Sequence, residues 1–320
     1  VAEILVAGCG YVGAALASLL AVDGHRVFGL RRRPEALPAG VVPVAADLAD
    51  LASLRGALAE AGADRIDALV YAAAADRSDD ASYRAAYVTG LRNALAAVAA
   101  NAPRQVFFTS STAVYAQRRG EWVDESSATE PTHWSGLRML EAERLLVASG
   151  LPVAALRLGG IYGPGRTRLV ERVRSGQAAI RPGPPRYTNR IHRDDAAGAL
   201  RHLLALALAG KPLAPVYVGV DDEPADEAKV LRWLSGRLGV PLRAAAGDEA
   251  LASAREASAR SEAESSQPSE VNRRAAAQQP DRPKADSNKR CLNARLRATG
   301  YRLRHPTFRE GYAALLAAPQ

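Results

Sequence analysis

Glu3-Ile4-Leu5-Val6-Ala7-Gly8-Cys9-Gly10-Tyr11-Val12-Gly13 opens the chain almost at its first residue. Residues 3–7 have the length and apolarity of a buried parallel strand, and they run directly into a Gly-x-Gly-x-x-Gly turn. Gly8 permits the tight turn, Gly10 lets backbone N–H groups approach a pyrophosphate, and Gly13 lets the next helix pack close to the sheet. That helix, expected over the Ala- and Leu-rich residues 14–22, aims its positive N-terminus at the phosphates. A lone Gly-x-Gly-x-x-Gly is a weak signal; with the strand before it and the helix after it, the segment predicts a dinucleotide site that includes Tyr11 and Val12.

A second strand is expected over residues 26–30, and it ends in Arg31-Arg32-Arg33. Chains that bind NAD(H) usually place an acidic residue there for the ribose hydroxyls. A carboxylate repels a 2′-phosphate, whereas guanidinium groups bind one through charge-assisted hydrogen bonds. Arg31 and Arg32 therefore favour NADP(H) over NAD(H), with a solvated loop charge run as the alternative.

Further along, strands and helices alternate. Strands are expected over 41–45, 67–71, 105–108, 153–158 and 216–220, and helices over 51–61, 82–100, 135–148 and 225–238. The polar residues gather at strand ends, such as Asp47 and Thr109-Ser110-Ser111-Thr112, while Ala72-Ala73-Ala74 leaves room for a cofactor against the backbone. This is the pattern of an α/β, Rossmann-type doubly wound parallel sheet with ligands at its carboxyl edge and a smaller C-terminal substrate region. The expected division is a nucleotide-binding domain over 1–165 and a substrate region over 166–320, interleaved with the last sheet elements. Residues 248–288 turn rich in Ala, Ser, Glu, Arg, Gln and Pro, a composition expected of a mobile insert.

Composition narrows the partners. The net charge of +8 comes with scattered arginines and only 5% aromatics, so no basic face interleaved with aromatics is available for nucleic acid. Two cysteines, Cys9 and Cys291, build no disulfide framework, and Cys9 reads as a small filler. No segment has the length and apolarity of a membrane span or a signal sequence. No membrane partner and a cytoplasmic setting are expected.

Several separate segments, in order, now point one way: Gly8 to Gly13, Asp47-Leu48, the run from Phe108 to Tyr115, Arg157 to Gly165, and Ile191-His192-Arg193-Asp194-Asp195. Over about its first 220 residues the chain resembles the extended short-chain dehydrogenases/reductases, the group of NAD(P)-dependent sugar-nucleotide epimerases and dehydratases. The resemblance implies that Asp47 and Leu48 border the adenine, Ala72, Ala73 and Ala74 line the dinucleotide, and Gly160, Ile161 and Tyr162 flank the nicotinamide. It also implies a small-molecule substrate, phosphorylated or nucleotide-linked, and a homodimer formed through residues 82–100 and 135–148.

The resemblance further implies a Tyr as acid/base, a Lys four residues later that lowers the phenol from its ordinary pKa of about 10, and a Ser on the substrate oxygen. Ser111 matches the serine. The aligned helix carries Ser135 at the tyrosine position and Met139 at the lysine position. No lysine precedes Lys211 and no tyrosine lies between Tyr115 and Tyr162, so no shift of register restores the pair. Tyr162, His133 and His192 are the remaining acid/base candidates. Tyr87 reads as helix packing or as a relocated phenol facing the site, and His192 as a hinge, with Asp194 or Asp195 capping the next helix. Arg138 is an exposed helix residue or a cation near the ribose, Glu141 and Glu143 are solvent partners of arginines, and Lys289-Arg290 is a surface basic pair or part of a substrate mouth.

Two functions fit. One is an NADP(H)-dependent oxidoreductase or epimerase-like enzyme in which Ser111 orients the substrate oxygen and an unusual group moves the proton. The other is a non-catalytic NADP(H)-binding regulatory or scaffold protein.

Overall fold

The computed structural model describes residues 1–244 and 287–317. The segment expected to be a mobile insert, apart from residues 287 and 288, lies outside the described residues. Seven strands form the central sheet: β1 (Glu3–Ala7), β2 (Arg26–Arg31), β3 (Val41–Ala45), β4 (Ala68–Tyr71), β5 (Gln105–Ser111), β6 (Val153–Leu158) and β7 (Val216–Gly219). All pair in parallel, in the order β7-β6-β5-β4-β1-β2-β3. The chain winds outward from β1 to β3 and then crosses back to β4, so the strand order reverses between β1 and β4. That switch point is where an open α/β sheet leaves a crevice at its carboxyl edge.

Alternation along β1 sorts its side chains between two apolar layers. Leu5 and Ala7 face a core shared with α2 (Leu51–Glu60), α3 (Gly90–Val98) and α4 (Trp134–Ala148). Ile4 and Val6 face α1 (Tyr11–Val22) and α5 (Arg193–Leu208) on the other side. The architecture is the expected Rossmann-type sheet. A third apolar cluster holds Tyr162, Val173, Leu234 and Phe308 among the helices Arg168–Arg174, Glu227–Leu238 and Phe308–Ala317.

Local departures from expectation have physical causes. The helix expected over 82–100 contains a π-helical turn at Arg84–Thr89 before α3. The closing segment forms a short strand, Lys289–Cys291, in parallel with Glu121–Val123, a pairing between distant parts of the chain that local pattern does not reveal. The α5 cap is also corrected: His192 Nδ1 accepts from the Asp194 N–H at 3.3 Å, while Asp195 turns inward to accept from the Arg304 and His305 N–H groups at 2.6 and 2.9 Å.

The opening loop is held by close backbone approach. Gly8 has φ +88°, and a Cβ there would overlap the backbone of Ala73 at the end of β4. A Cβ on Gly13 would overlap the Gly8 carbonyl oxygen and lie 3.1 Å from Val6 Cγ1. Gly8→Ala should therefore cost the nucleotide-free chain about 2–4 kcal/mol, combining left-handed strain with overpacking. Gly24→Ala, at φ +81° with open space around it, should cost only about 1–2 kcal/mol. Urea midpoints at unchanged slope measure both, and equal losses at the two sites would contradict the close approach.

Candidate cofactor and substrate cleft

A cleft of about 1180 Å³ follows the carboxyl edge of the sheet. Its wall includes Gly8, Gly10, Tyr11 and Val12 from the glycine loop, Arg31 and Arg32 from the end of β2, and Asp47 and Leu48 after β3. Ala72, Ala73 and Ala74 form its floor beyond β4, Ser111 borders it at the end of β5, and Gly160, Ile161 and His133 complete the expected set. Gly13 and Tyr162 lie outside the cleft lining. Gly13 acts beneath the loop, where its missing Cβ lets α1 approach Gly8 and Val6.

The glycine loop leaves the start of α1 open. Gly10 caps α1 with no side-chain acceptor, and a Cβ on Gly10 would meet nothing nearer than the Gly8 carbonyl oxygen at 4.0 Å. Among the described residues the first-turn N–H groups thus have no side-chain partner beside open space, an arrangement suited to an anion. Arg31 has no hydrogen-bond or ion-pair partner among the described residues, whereas Arg32 binds Asp76 through two hydrogen bonds of 2.6 and 2.9 Å. Asp47 accepts from the Ala49 N–H at 2.9 Å.

Ser111 Oγ accepts from the Ala113 N–H at 3.1 Å, which leaves its own O–H as an available donor. His133 caps α4: its Nδ1 accepts from the Ser135 N–H at 3.3 Å and lies 2.8 Å from Ser135 Oγ. With Nδ1 accepting, Nε2 carries the proton of the neutral ring. Tyr87 also lines the cleft, and its Oη accepts from the Ala75 N–H at 3.4 Å.

Tyr162 is corrected as a catalytic and nicotinamide-flanking candidate. It lies on the short strand Gly160–Tyr162, paired with Arg190–His192, where neighbours point to opposite faces. Ile161 borders the cleft, so Tyr162 turns into the third apolar cluster against Tyr312 and His192, with ring centroids 4.6 and 5.4 Å away. Its hydroxyl is buried with no partner among the described residues, and burial pushes its pKa up.

Residues 4–206 match the family model of the NAD dependent epimerase/dehydratase family. The chain belongs to that family. A Methylobacillus flagellatus protein assigned to the NAD-dependent epimerases/dehydratases is 36% identical, with 99% of this chain and 98% of that one covered and a TM-score of 0.75. Protein YeeZ of Escherichia coli strain K12 is 28% identical over 221 residues, 65% of this chain and 75% of that protein. Thermus thermophilus UDP-glucose 4-epimerase, solved with NAD, is 20% identical over 97% of this chain and 96% of that one at a TM-score of 0.71, and shares the fold.

In this epimerase/dehydratase-family chain, α4 faces the cleft with Ser135 and Met139, the positions where the resemblance places tyrosine and lysine. Arg138 does not line the cleft. It pairs with Asp80 at 2.7 and 2.8 Å and with Glu141 at 2.7 Å. Glu143 is not a solvent partner but 7% exposed. It accepts from Arg157 Nε and Nη2 at 2.9 and 2.7 Å and from the Ser110 hydroxyl at 2.6 Å, while Arg157 Nη1 donates to the Tyr115 hydroxyl at 2.9 Å.

The cation that the sequence reading undervalued is Lys289, which is 3% exposed and borders the cleft rather than the outer surface. Its ammonium donates to the Tyr115 carbonyl at 3.0 Å and to Ser287 Oγ at 2.8 Å, and burial draws its pKa down. Arg290, one residue on, faces outward and stacks on Trp122 and Tyr187 at 4.6 and 4.7 Å. Strand alternation was the available signal, because Lys289 shares a face with the buried Cys291. Among the described residues no helix is long and apolar enough to cross a membrane.

Two measurements probe the buried charges. Glu143→Leu should destabilise the chain by about 3–5 kcal/mol by stranding Arg157, and Glu143→Leu/Arg157→Met should recover most of that loss; equal denaturation midpoints for the two variants would contradict the pairing. Asp221 is 2% exposed, and burial pushes its carboxyl up to about 8, against the pull of Arg190. Its stabilising protonated form is fully retained below the unfolded value of about 4 and is lost as pH rises through the folded value. His192, drawn down to about 4 by burial, is neutral over the upper part of this window. Melting temperatures should therefore fall more steeply between pH 6.5 and 8 for the native chain than for Asp221→Asn.

Proposed function

We propose that the cleft binds NADP(H) and that the chain is an NADP(H)-dependent oxidoreductase or epimerase-like enzyme for a small phosphorylated or nucleotide-linked substrate. The observation that carries the cofactor reading is Arg31, which borders the cleft at the end of β2 with no carboxylate of the described residues on it. Arg31 and Arg32 would hold the 2′-phosphate, and the open first turn of α1 the pyrophosphate. Asp47 and Leu48 would border the adenine, Ala72, Ala73 and Ala74 the dinucleotide, and Gly160 and Ile161 the nicotinamide. When bound, the cofactor supplies or accepts a hydride.

Ser111 would donate its O–H to the substrate oxygen and fix the reacting carbon. His133, which also lines the cleft, would exchange the proton. In this reading residues 1–165 form the nucleotide domain, while 166–320 supply the substrate region around α5 and β7. Leu137 and Val147, 46% and 63% exposed on α4, support a homodimer through that helix. Ser135 and Met139 at the cleft face of α4 favour a second reading, a non-catalytic NADP(H)-binding protein.

Fluorescence titration and turnover assays separate these readings. NADPH should bind more tightly than NADH, and Arg31→Ala should weaken NADPH about 10- to 100-fold, the worth of a charged hydrogen-bonded contact, with NADH little changed. Turnover with a panel of nucleotide sugars and small carbonyl compounds should fall at least tenfold in Ser111→Ala. Tight NADPH binding without turnover on any compound would favour the non-catalytic reading, and a preference for NADH would overturn the cofactor assignment.

A further inference from the structure

Lys289 is the sole buried lysine among the described residues, and its surroundings are unusual for a charged group. Both acceptors of its ammonium, the Tyr115 carbonyl and the Ser287 hydroxyl, are neutral. No carboxylate lies within ion-pair distance of it among the described residues. An ammonium carries three donors, so one remains without an acceptor among the described residues. The contrast with Arg157, whose charge is met by Glu143 at 2.7 Å, is direct. Buried charges are otherwise paired, because neutral dipoles recover only part of the lost hydration.

The neighbouring cation sharpens this. Arg118 lies on the same stretch of cleft wall, its Nη2 donating to Thr132 Oγ1 at 2.7 Å, and its charge acts against that of Lys289. Among the described residues, the acidic ones that border the cleft are Asp47 and Asp76, which lie by Arg32 at the end of β2. Two cations therefore share one stretch of the cleft wall, which Ser111 also lines, with no counter-ion among the described residues.

We infer that this end of the cleft is an anion subsite in which Lys289, assisted by Arg118, pairs with a carboxylate or phosphate group of the substrate. The inference rests on the reading of the cleft as a joint cofactor and substrate site, and it narrows the substrate to a compound whose hydroxyl or carbonyl reaches Ser111 while an anionic group reaches Lys289. Lys289 is then a residue of substrate selection. It supplies the charge that α4 lacks at Met139, in a different place and for a different task.

The test uses the full chain saturated with NADPH, so that Arg31 and the α1 N-terminus are occupied. Calorimetric titration with malonate and with inorganic phosphate, against neutral malonamide, reads the subsite and separates a carboxylate from a phosphate preference. At least one anion should bind and malonamide should not. Lys289→Met should weaken anion binding at least tenfold while leaving NADPH affinity within about twofold, and Lys289→Arg should retain it within about threefold. Arg118→Gln, at an exposed position, should weaken it about three- to tenfold and carries the test should Lys289→Met fail to fold. Equal binding of malonamide, no binding of either anion by the native chain, or undiminished anion binding in the folded Lys289→Met or Arg118→Gln variants would overturn the inference. Failure of the cofactor reading shows separately, as absence of saturable NADPH binding to the native chain; Lys289-dependent anion binding without nucleotide would then still support the subsite.

Discussion

The wall of the cleft built from β5, β6 and α4 depends on one buried ion pair. Arg157 on β6 meets Glu143 on α4 through two hydrogen bonds, Ser110 on β5 joins the same carboxylate, and Tyr115 joins the same guanidinium. Two strands, a helix and the turn after β5 are thereby fixed to one another at a point with almost no solvent. A charge pair so enclosed is tolerated because nearly every donor and acceptor around it is used. Its reach extends further, since the tyrosine held by Arg157 offers its carbonyl to Lys289. The placement of the cleft's buried cation is thus inherited from a contact on the far side of Tyr115.

The other end of the cleft is organised by closeness rather than charge. Gly8, Gly13 and Ala73 bring a turn, a helix and a strand end together at distances that leave no room for further side-chain atoms. This difference explains what the sequence disclosed. Close backbone approach demands glycine at fixed spacing, so Gly8, Gly10 and Gly13 announce both the sheet and its crevice. Arg31 was legible for the same reason, because a parallel strand of known length delivers its last residue to the carboxyl edge.

The residues misread were those whose surroundings come from distant segments. Glu143 is an unremarkable helical glutamate until β6 places Arg157 beside it. Lys289 sits in a basic pair whose two members part company only because the strand Lys289–Cys291 pairs with Glu121–Val123. Tyr162 is different: its neighbour Ile161 borders the cleft, and strand alternation alone then sends the phenol to the opposite face. The π-helical turn at Arg84–Thr89 likewise left no local mark, although Ala85, Ala86 and Tyr87 from it reach the cleft wall.

The hydrogen bond from Lys289 to Tyr115 joins residues 174 positions apart, whereas the glycine loop, β2 and β4 lie within the first 71 residues. Synthesis proceeds from the N-terminus, and contacts of short sequence separation close first. The glycine-loop end of the cleft can therefore take shape while the chain is still growing, before Lys289 is made. A chain cut short before residue 289 would hold the crossing of β1, β2 and β4 without the lysine that the far wall of the cleft contributes, so the cleft is assembled from its first strand toward its last.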